Sequence, residues 1–241
     1  RPETVWRAAT AVLVRAPGLS TPAGAAGLVE RLPAVRALLS RAPAGATGLC
    51  EDAGCPDQLF APRVAAALAS AVDVFGRNEG GLQARLGRPV ELTDPAAVAE
   101  ALRELHGRLA HPTVLVHTRA WSALYGPRAA ELAPAADAGN VVAAARYLAG
   151  DGLTPADIAD VAAAPRAASA VAFAGALDRL TGESGRCLPT VDVRPESPTT
   201  IGLGDTFVGG FIARLAGRDP RAGGAVAARG PSSSAMAPRP E

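Results

Sequence analysis

Short apolar runs alternate with longer alanine- and leucine-rich stretches over most of this chain. Runs of β type predict buried strands; they lie at 11–14, 47–50, 71–75, 113–117 and 190–194. The stretches between them carry apolar residues at helical spacing and predict helices; these cover 28–39, 62–71, 93–110, 139–148, 154–161 and 166–180. Strands separated by helices indicate an α/β fold with a mainly parallel sheet and helices on both faces.

Polar residues follow several of the predicted strands. Each of four polar sites follows a predicted strand: Glu51, the Asn78-Glu79 pair, His117 and Asp205. Ligands of open parallel sheets bind beyond the carboxyl ends of the strands. The pattern therefore predicts four polar sites along one edge of the sheet.

The stretch 200–211 contains a glycine turn that leads into an apolar, helix-compatible run. Gly202 and Gly204 lie on either side of Leu203, and Asp205 follows. Glycines let the backbone approach an anion, and the N–H groups of a helix start carry positive partial charge. An Asp in that first turn is placed to take a proton from a hydroxyl that attacks a phosphate. The alternative is a glycine-rich turn with a capping Asp.

The Asn78-Glu79 pair has two interpretations as well. Asn and Glu oxygens can hold Mg²⁺ directly or through water, as phosphoryl transfer requires. Alternatively, Asn78 caps a helix and Glu79 interacts favourably with the positive helix end.

Composition limits the chemistry further. The 241 residues are 49% hydrophobic and 4% aromatic, so Ala, Val and Leu must form the core, and the net charge of +1 predicts neither nucleic-acid nor membrane binding. All 24 basic residues are Arg, which excludes a Walker A or Schiff-base lysine in this chain. Three irregularly spaced cysteines argue against a disulfide framework and favour a cytoplasmic location.

The two ends of the sequence suggest a fragment with a polar tail. The chain begins at Arg1, without Met or a signal sequence, so we expect it to be part of a longer protein. Residues 218–241 are rich in Arg, Gly, Ser and Pro without a hydrophobic period, and we predict that they form a disordered tail.

Together these motifs resemble the ADP-dependent phosphofructokinase/glucokinase family, a branch of the ribokinase-like fold. The matching stretches are 72–79 (VDVFGRNE), 114–118 (VLVHT) and 197–206 (SPTTIGLGDT), in the same order and spacing. The resemblance implies a ribokinase-like three-layer sandwich, incomplete, with 1–217 as the C-terminal part of the kinase domain. It also implies phosphate transfer from ADP to a hexose or hexose phosphate, glucose or fructose 6-phosphate, with Mg²⁺ as cofactor.

The resemblance implies roles for individual residues. Asp205 would deprotonate the sugar hydroxyl, while Gly202, Leu203 and Gly204 would bring backbone N–H groups to the transferred phosphate. Three residues would hold the metal: Glu51, Asn78 and Glu79. The segment that contains Val191, Val193 and Thr200 would border the adenine pocket. Apart from the resemblance, the position of His117 after a predicted strand could turn it toward the nucleotide; the alternative is a structural histidine.

Departures from the family leave two alternatives open. Leu49 stands where the family carries the His of a His-x-Glu motif, and we expect these 241 residues to lack the family's N-terminal strands and sugar-covering lid. One alternative is an ATP-dependent carbohydrate kinase of the ribokinase group. The other is a truncated, inactive nucleotide-binding or interaction domain. We expect the 241 residues alone to be a poor catalyst, because phosphoryl transfer depends on closure around both substrates.

Overall fold

The computed structural model describes residues 9–16, 22–52, 61–109, 112–194 and 200–222. Within these ranges the chain forms six strands: β1 (Ala11–Ala16), β2 (Thr47–Asp52), β3 (Val74–Asn78), β4 (Thr113–His117), β5 (Trp121–Tyr125) and β6 (Gly185–Pro189). The same ranges contain eight α-helices: α1 (Pro22–Leu39), α2 (Ala61–Ala69), α3 (Glu79–Leu86), α4 (Pro95–Leu109), α5 (Ala129–Ala149), α6 (Pro155–Ala163), α7 (Ala168–Thr181) and α8 (Leu203–Leu215).

The strands form one sheet in sequence order, β1 to β6. The first four strands are parallel, and β5 runs antiparallel to both β4 and β6. A tight turn joins β4 to β5, with the Thr118 amide donating to the Trp121 carbonyl at 2.9 Å. The mainly parallel sheet that the sequence predicts is confirmed.

Each face of the sheet buries its own layer of helices. On one face Leu49, Val74, Leu115 and Leu124 form a cluster with residues of α5 and α8. On the other face, strand residues such as Phe75 and Val114 pack against α2, α3, α4 and α7. This arrangement follows from the alternation of strand side chains between the two faces. The fold is therefore a three-layer α/β sandwich, as expected.

The segment before the glycine turn differs from its prediction. Residues 190–194 are not a strand; β6 lies earlier, at Gly185–Pro189, and Val191 makes only an isolated bridge with Arg166. The β-branched residues that suggested a strand have another use, since Val191 is buried against Val141, Ala145 and Val161. Hydrophobicity alone does not distinguish a buried strand of the sheet from a loop that is buried between helices.

Strand β5 and helix α5 also differ from the predicted pattern. Strand β5 was not predicted, because its hairpin interrupts the strand-helix alternation on which the prediction rested. Helix α5 begins at Ala129 rather than 139, and its internal Pro134 hid the first half of it.

The start of the predicted tail packs against the domain. Residues Pro220–Ala222 form a short 3₁₀ turn, and Arg221 donates to Asp137 of α5 at 2.6 Å. Hydrogen bonds from Arg221 also lower the pKa of Asp219 to about 2. The charges in this described part of the predicted tail are therefore paired with the domain, while the domain boundary at 218 stays a prediction. Residues 223–241 lie outside the described part of the chain.

No helix in the described ranges is both long enough and apolar enough to cross a membrane.

Helices α5 and α8 approach each other closely at two glycines. A Cβ at Gly139 would lie 2.8 Å from Phe207 atoms. A Cβ at Gly210 would lie 2.9 Å from the Ala138 carbonyl oxygen and 3.0 Å from Val142 Cβ. All of these distances are shorter than van der Waals contact. The two helices therefore pack this closely only because these positions lack side chains.

Gly210→Ala is expected to destabilise the fold by about 1–3 kcal/mol, because overpacking forces α8 away from α5. Gly209→Ala is the matched control: it lies one residue earlier, is exposed, and has no atom within 4 Å of an added Cβ. That control should gain up to about 1 kcal/mol from helix propensity. Urea unfolding of both variants measures the difference, and equal stabilities would contradict the close packing.

Candidate functional site

The carboxyl ends of β2, β3 and β4 bring three of the predicted residues to one edge of the sheet. The strand register pairs Glu51 with Gly76, and Asn78 with His117. Helix α8 begins at the same edge, since the His117 ring stacks on Phe207 with a centroid distance of 4.7 Å. A Cβ at Gly204 would lie 3.5 Å from His117 Cε1. The glycine turn therefore lies beside the end of β4.

The glycine turn has the backbone that the motif predicts. Gly202 has a φ of +78°, in the left-handed region that favours glycine, and it is the N-cap of α8 without a side-chain cap. The Thr206 amide donates to the Gly202 carbonyl at 2.9 Å. Asp205 is exposed in the first helical turn. The arrangement presents a carboxylate and a helix N-terminus on one surface, which can accept a proton and bind an anion respectively.

Glu51 and His117 form a buried pair at this edge. Glu51 Oε1 lies 3.1 Å from His117 Nε2, and each side chain is only 11% exposed. The two residues lie on β2 and β4, so the Glu51 carboxylate passes over β3 between them. A Cβ at Gly76 of β3 would lie 2.5 Å from Glu51 Oε2. A side chain at position 76 would therefore force Glu51 Oε2 to move from its present position.

The three predicted metal ligands are engaged in different ways. Asn78 Oδ1 accepts from the Gly81 amide at 2.8 Å and caps α3, which is the alternative interpretation of this residue. Glu51 Oε1 faces His117, and its Oε2 is buried without a hydrogen-bond partner. Glu79 is half-buried at the first position of α3.

No group of three or more His, Cys, Asp or Glu in the described ranges could hold a metal ion. The assignment of Glu51, Asn78 and Glu79 as metal ligands stays a prediction. The involvement of Mg²⁺ itself stays a prediction.

The predicted nucleotide-facing residues separate into two groups. His117 lies at the sheet edge beside the glycine turn, and Thr200 is exposed at the start of that turn, where its carbonyl accepts from the Leu203 amide at 3.3 Å. Val191 is a core residue between α5 and α6, and Val193 packs against the same cluster. The assignment of the two valines to an adenine pocket stays a prediction.

Sequence reasoning missed a buried arginine at this edge. Arg77 is 2% exposed; it forms an ion pair with Asp52, donates to the Gly81 carbonyl, and lies 5.2 Å from the Phe75 ring centroid. Burial and the nearby Arg85 lower the pKa of Arg77 to about 9. The guanidinium is thus charged at neutral pH and ties β2 to the start of α3.

Gly76 and Phe207 were also missed. The signal for Gly76 was present, because a glycine inside a strand often marks a close approach by another group. Phe207 carried no signal apart from its place in the apolar run after Asp205.

The cysteines take no part in the site that the structure describes. Burial raises the pKa of the Cys50 thiol to about 12, and it raises the pKa of the Cys187 thiol to about 12 as well. Both residues are buried core members. Cys55 lies outside the described ranges.

Comparison with known proteins gives a fold match. No family model matches the sequence, and no curated protein does. The phosphofructokinase from Pyrococcus horikoshii OT3, solved with AMP, matches with a TM-score of 0.67 and 19% identity, over 88% of this chain and 52% of that chain. The last common ancestor of ADP-dependent phosphofructokinases from Methanosarcinales matches with a TM-score of 0.67 and 18% identity, over 86% and 50%.

A third structure, an ADP-dependent kinase in complex with fructose-6-phosphate and ADPβS, matches with a TM-score of 0.61 and 18% identity, over 86% of this chain and 54% of that chain. The chain therefore spans about half the length of the structures that it matches. Over that half, it has the fold of the ADP-dependent phosphofructokinases.

Proposed function

We propose that this chain carries the phosphate-binding turn and the catalytic base of an ADP-dependent sugar kinase. The observation that carries the proposal is the placement of Asp205. It is exposed in the first turn of α8, three residues after the left-handed Gly202, at the carboxyl edge of a mainly parallel sheet. The fold shared with ADP-dependent phosphofructokinases supports it.

In the proposed reaction a sugar hydroxyl oxygen attacks the β-phosphorus of ADP. A new P–O bond forms, the bond from the β-phosphorus to the bridging oxygen breaks, and AMP leaves. Asp205 accepts the hydroxyl proton. The α8 N-terminus, at Gly202, Leu203 and Gly204, faces the negative charge on the transferred phosphoryl group and stabilises it.

The donor and acceptor in this proposal follow the molecules bound in the matching structures. One of these was solved with AMP, and another contains fructose-6-phosphate and ADPβS. We therefore infer ADP as donor and a hexose or hexose phosphate, such as glucose or fructose 6-phosphate, as acceptor. Mg²⁺ in such reactions keeps several waters and is held largely by substrate phosphates. No step above depends on a protein-held ion.

Asp205→Asn is expected to lower the rate of AMP formation about 10²- to 10⁴-fold, because it removes the general base. ADP affinity should stay near normal, since the backbone of the turn is unchanged. The matched control is Asp160→Asn, an exposed carboxylate on α6. AMP formation with each sugar, together with calorimetric ADP binding, makes the measurement. An Asp205→Asn variant that retains most of its activity would remove Asp205 from this role.

ADP is expected to bind more tightly than ATP. Calorimetric titration of the chain with both nucleotides, with and without Mg²⁺, makes the comparison, and AMP formation identifies ADP as the donor. Tighter binding of ATP, with ADP as its product, would instead support the ATP-dependent carbohydrate kinases.

A further inference from the structure

We propose that Glu51 is a positioning residue for His117 rather than a metal ligand, and that Gly76 is the residue that permits this role. Any effect of the Glu51–His117 contact on catalysis rests on the proposed function. The contact itself stands on the geometry of three adjacent strands, β2, β3 and β4.

The first step is the path of the Glu51 side chain. Glu51 and His117 are separated by β3, and their carboxylate and imidazole meet at 3.1 Å across it. Any side chain at Gly76 would occupy the place of Glu51 Oε2, at 2.5 Å from the added Cβ. The glycine in β3 has a specific use, since its lack of a side chain opens the path between the neighbouring strands.

The second step links His117 to the phosphate turn. Its ring stacks on Phe207 at 4.7 Å with an interplanar angle of 22°, and its Cε1 would contact a Cβ placed at Gly204, at 3.5 Å. Both residues belong to the first turns of α8. Because Glu51 fixes the Nε2 side of the ring, it also fixes the surface on which the first turn of α8 lies.

The third step excludes direct metal ligation by Glu51 in this arrangement. Oε1 faces His117 Nε2, and Oε2 is buried against Gly76. Mg²⁺ dehydrates reluctantly and usually keeps several waters. While the pair is formed, His117 engages Oε1, and an ion at Oε2 would have to lose waters to reach a buried oxygen.

The test compares three variants. Glu51→Gln keeps an oxygen acceptor for Nε2–H but removes the charge. Glu51→Ala removes the acceptor, and Gly76→Ala leaves Glu51 intact but blocks its path. Glu183→Gln is the control, an exposed carboxylate just before β6, at the opposite edge of the sheet. Two quantities are measured for each: the imidazole NMR signals of His117, assigned by their loss in His117→Gln, and ADP affinity with and without Mg²⁺.

If Glu51 positions His117, Glu51→Ala and Gly76→Ala shift the His117 signals. Both should weaken ADP binding about tenfold, the size of one lost buried hydrogen bond, and by the same factor with and without Mg²⁺. Glu51→Gln should keep the His117 signals and the ADP affinity close to those of the wild type. Rescue by the conservative variant distinguishes positioning from metal ligation by a charged carboxylate, because a neutral amide oxygen binds Mg²⁺ more weakly than a carboxylate does.

Two results would overturn the proposal. One is a His117 signal that is unmoved in Glu51→Ala. The other is an ADP affinity that no longer increases on addition of Mg²⁺, to the same extent in Glu51→Gln and in Glu51→Ala. The NMR measurement needs no nucleotide, so it decides on the pair even if Gly76→Ala fails to fold. A wild type that binds no ADP, with the NMR results as expected, would reject the proposed function and leave the pair standing.

Discussion

The packing of Phe207 is the interaction on which the arrangement of the site depends. Its ring is 3% exposed; it fits into the space left by Gly139 on α5, stacks on His117 of β4, and lies 6.4 Å from the Phe211 ring centroid. One side chain thus joins a helix of the outer layer, a central strand and the helix that carries Asp205. Closely packed interiors transmit small displacements rather than absorb them. The position of the glycine turn is therefore fixed by core packing two residues away from Asp205.

The Glu51–His117 pair has an energetic cost that the rest of the fold offsets. A buried polar group without a partner costs about 1–3 kcal/mol, and Glu51 Oε2 is such a group. The Oε1 contact with Nε2 compensates part of this cost, and the pair persists because the sheet holds both residues in register. A buried unsatisfied polar atom in a native structure requires an explanation, such as strain or a functional role. This one belongs to a residue that contacts His117, which lies beside the glycine turn.

The sequence was sufficient for the fold class, because the alternation of apolar runs with helical stretches directly reflects layer packing. It also located the polar edge, since Glu51 is the penultimate residue of β2, His117 is the last residue of β4, and Asp205 lies in the first turn of the predicted helix. It failed at Val191, where a strand-like pattern belongs to a loop buried by α5 and α6. It failed also at the contact between Glu51 and His117, because two residues 66 positions apart meet only through strand order. No local pattern encodes that order.

Because its residues meet only through strand order, the site exists only when the sheet is assembled. Glu51, Gly76, His117 and Gly204 come from four separate segments, and in the described chain they meet only when β2, β3 and β4 are paired and α8 has docked. A ligand that binds only the folded state stabilises it, by about 2.7 kcal/mol at a concentration of 100 times Kd. An anion held by the first turn of α8 would therefore reinforce the docking of α8 on α5. Binding of such an anion and the packing of Phe207 would then act on one equilibrium, since each would favour the arrangement that the other requires.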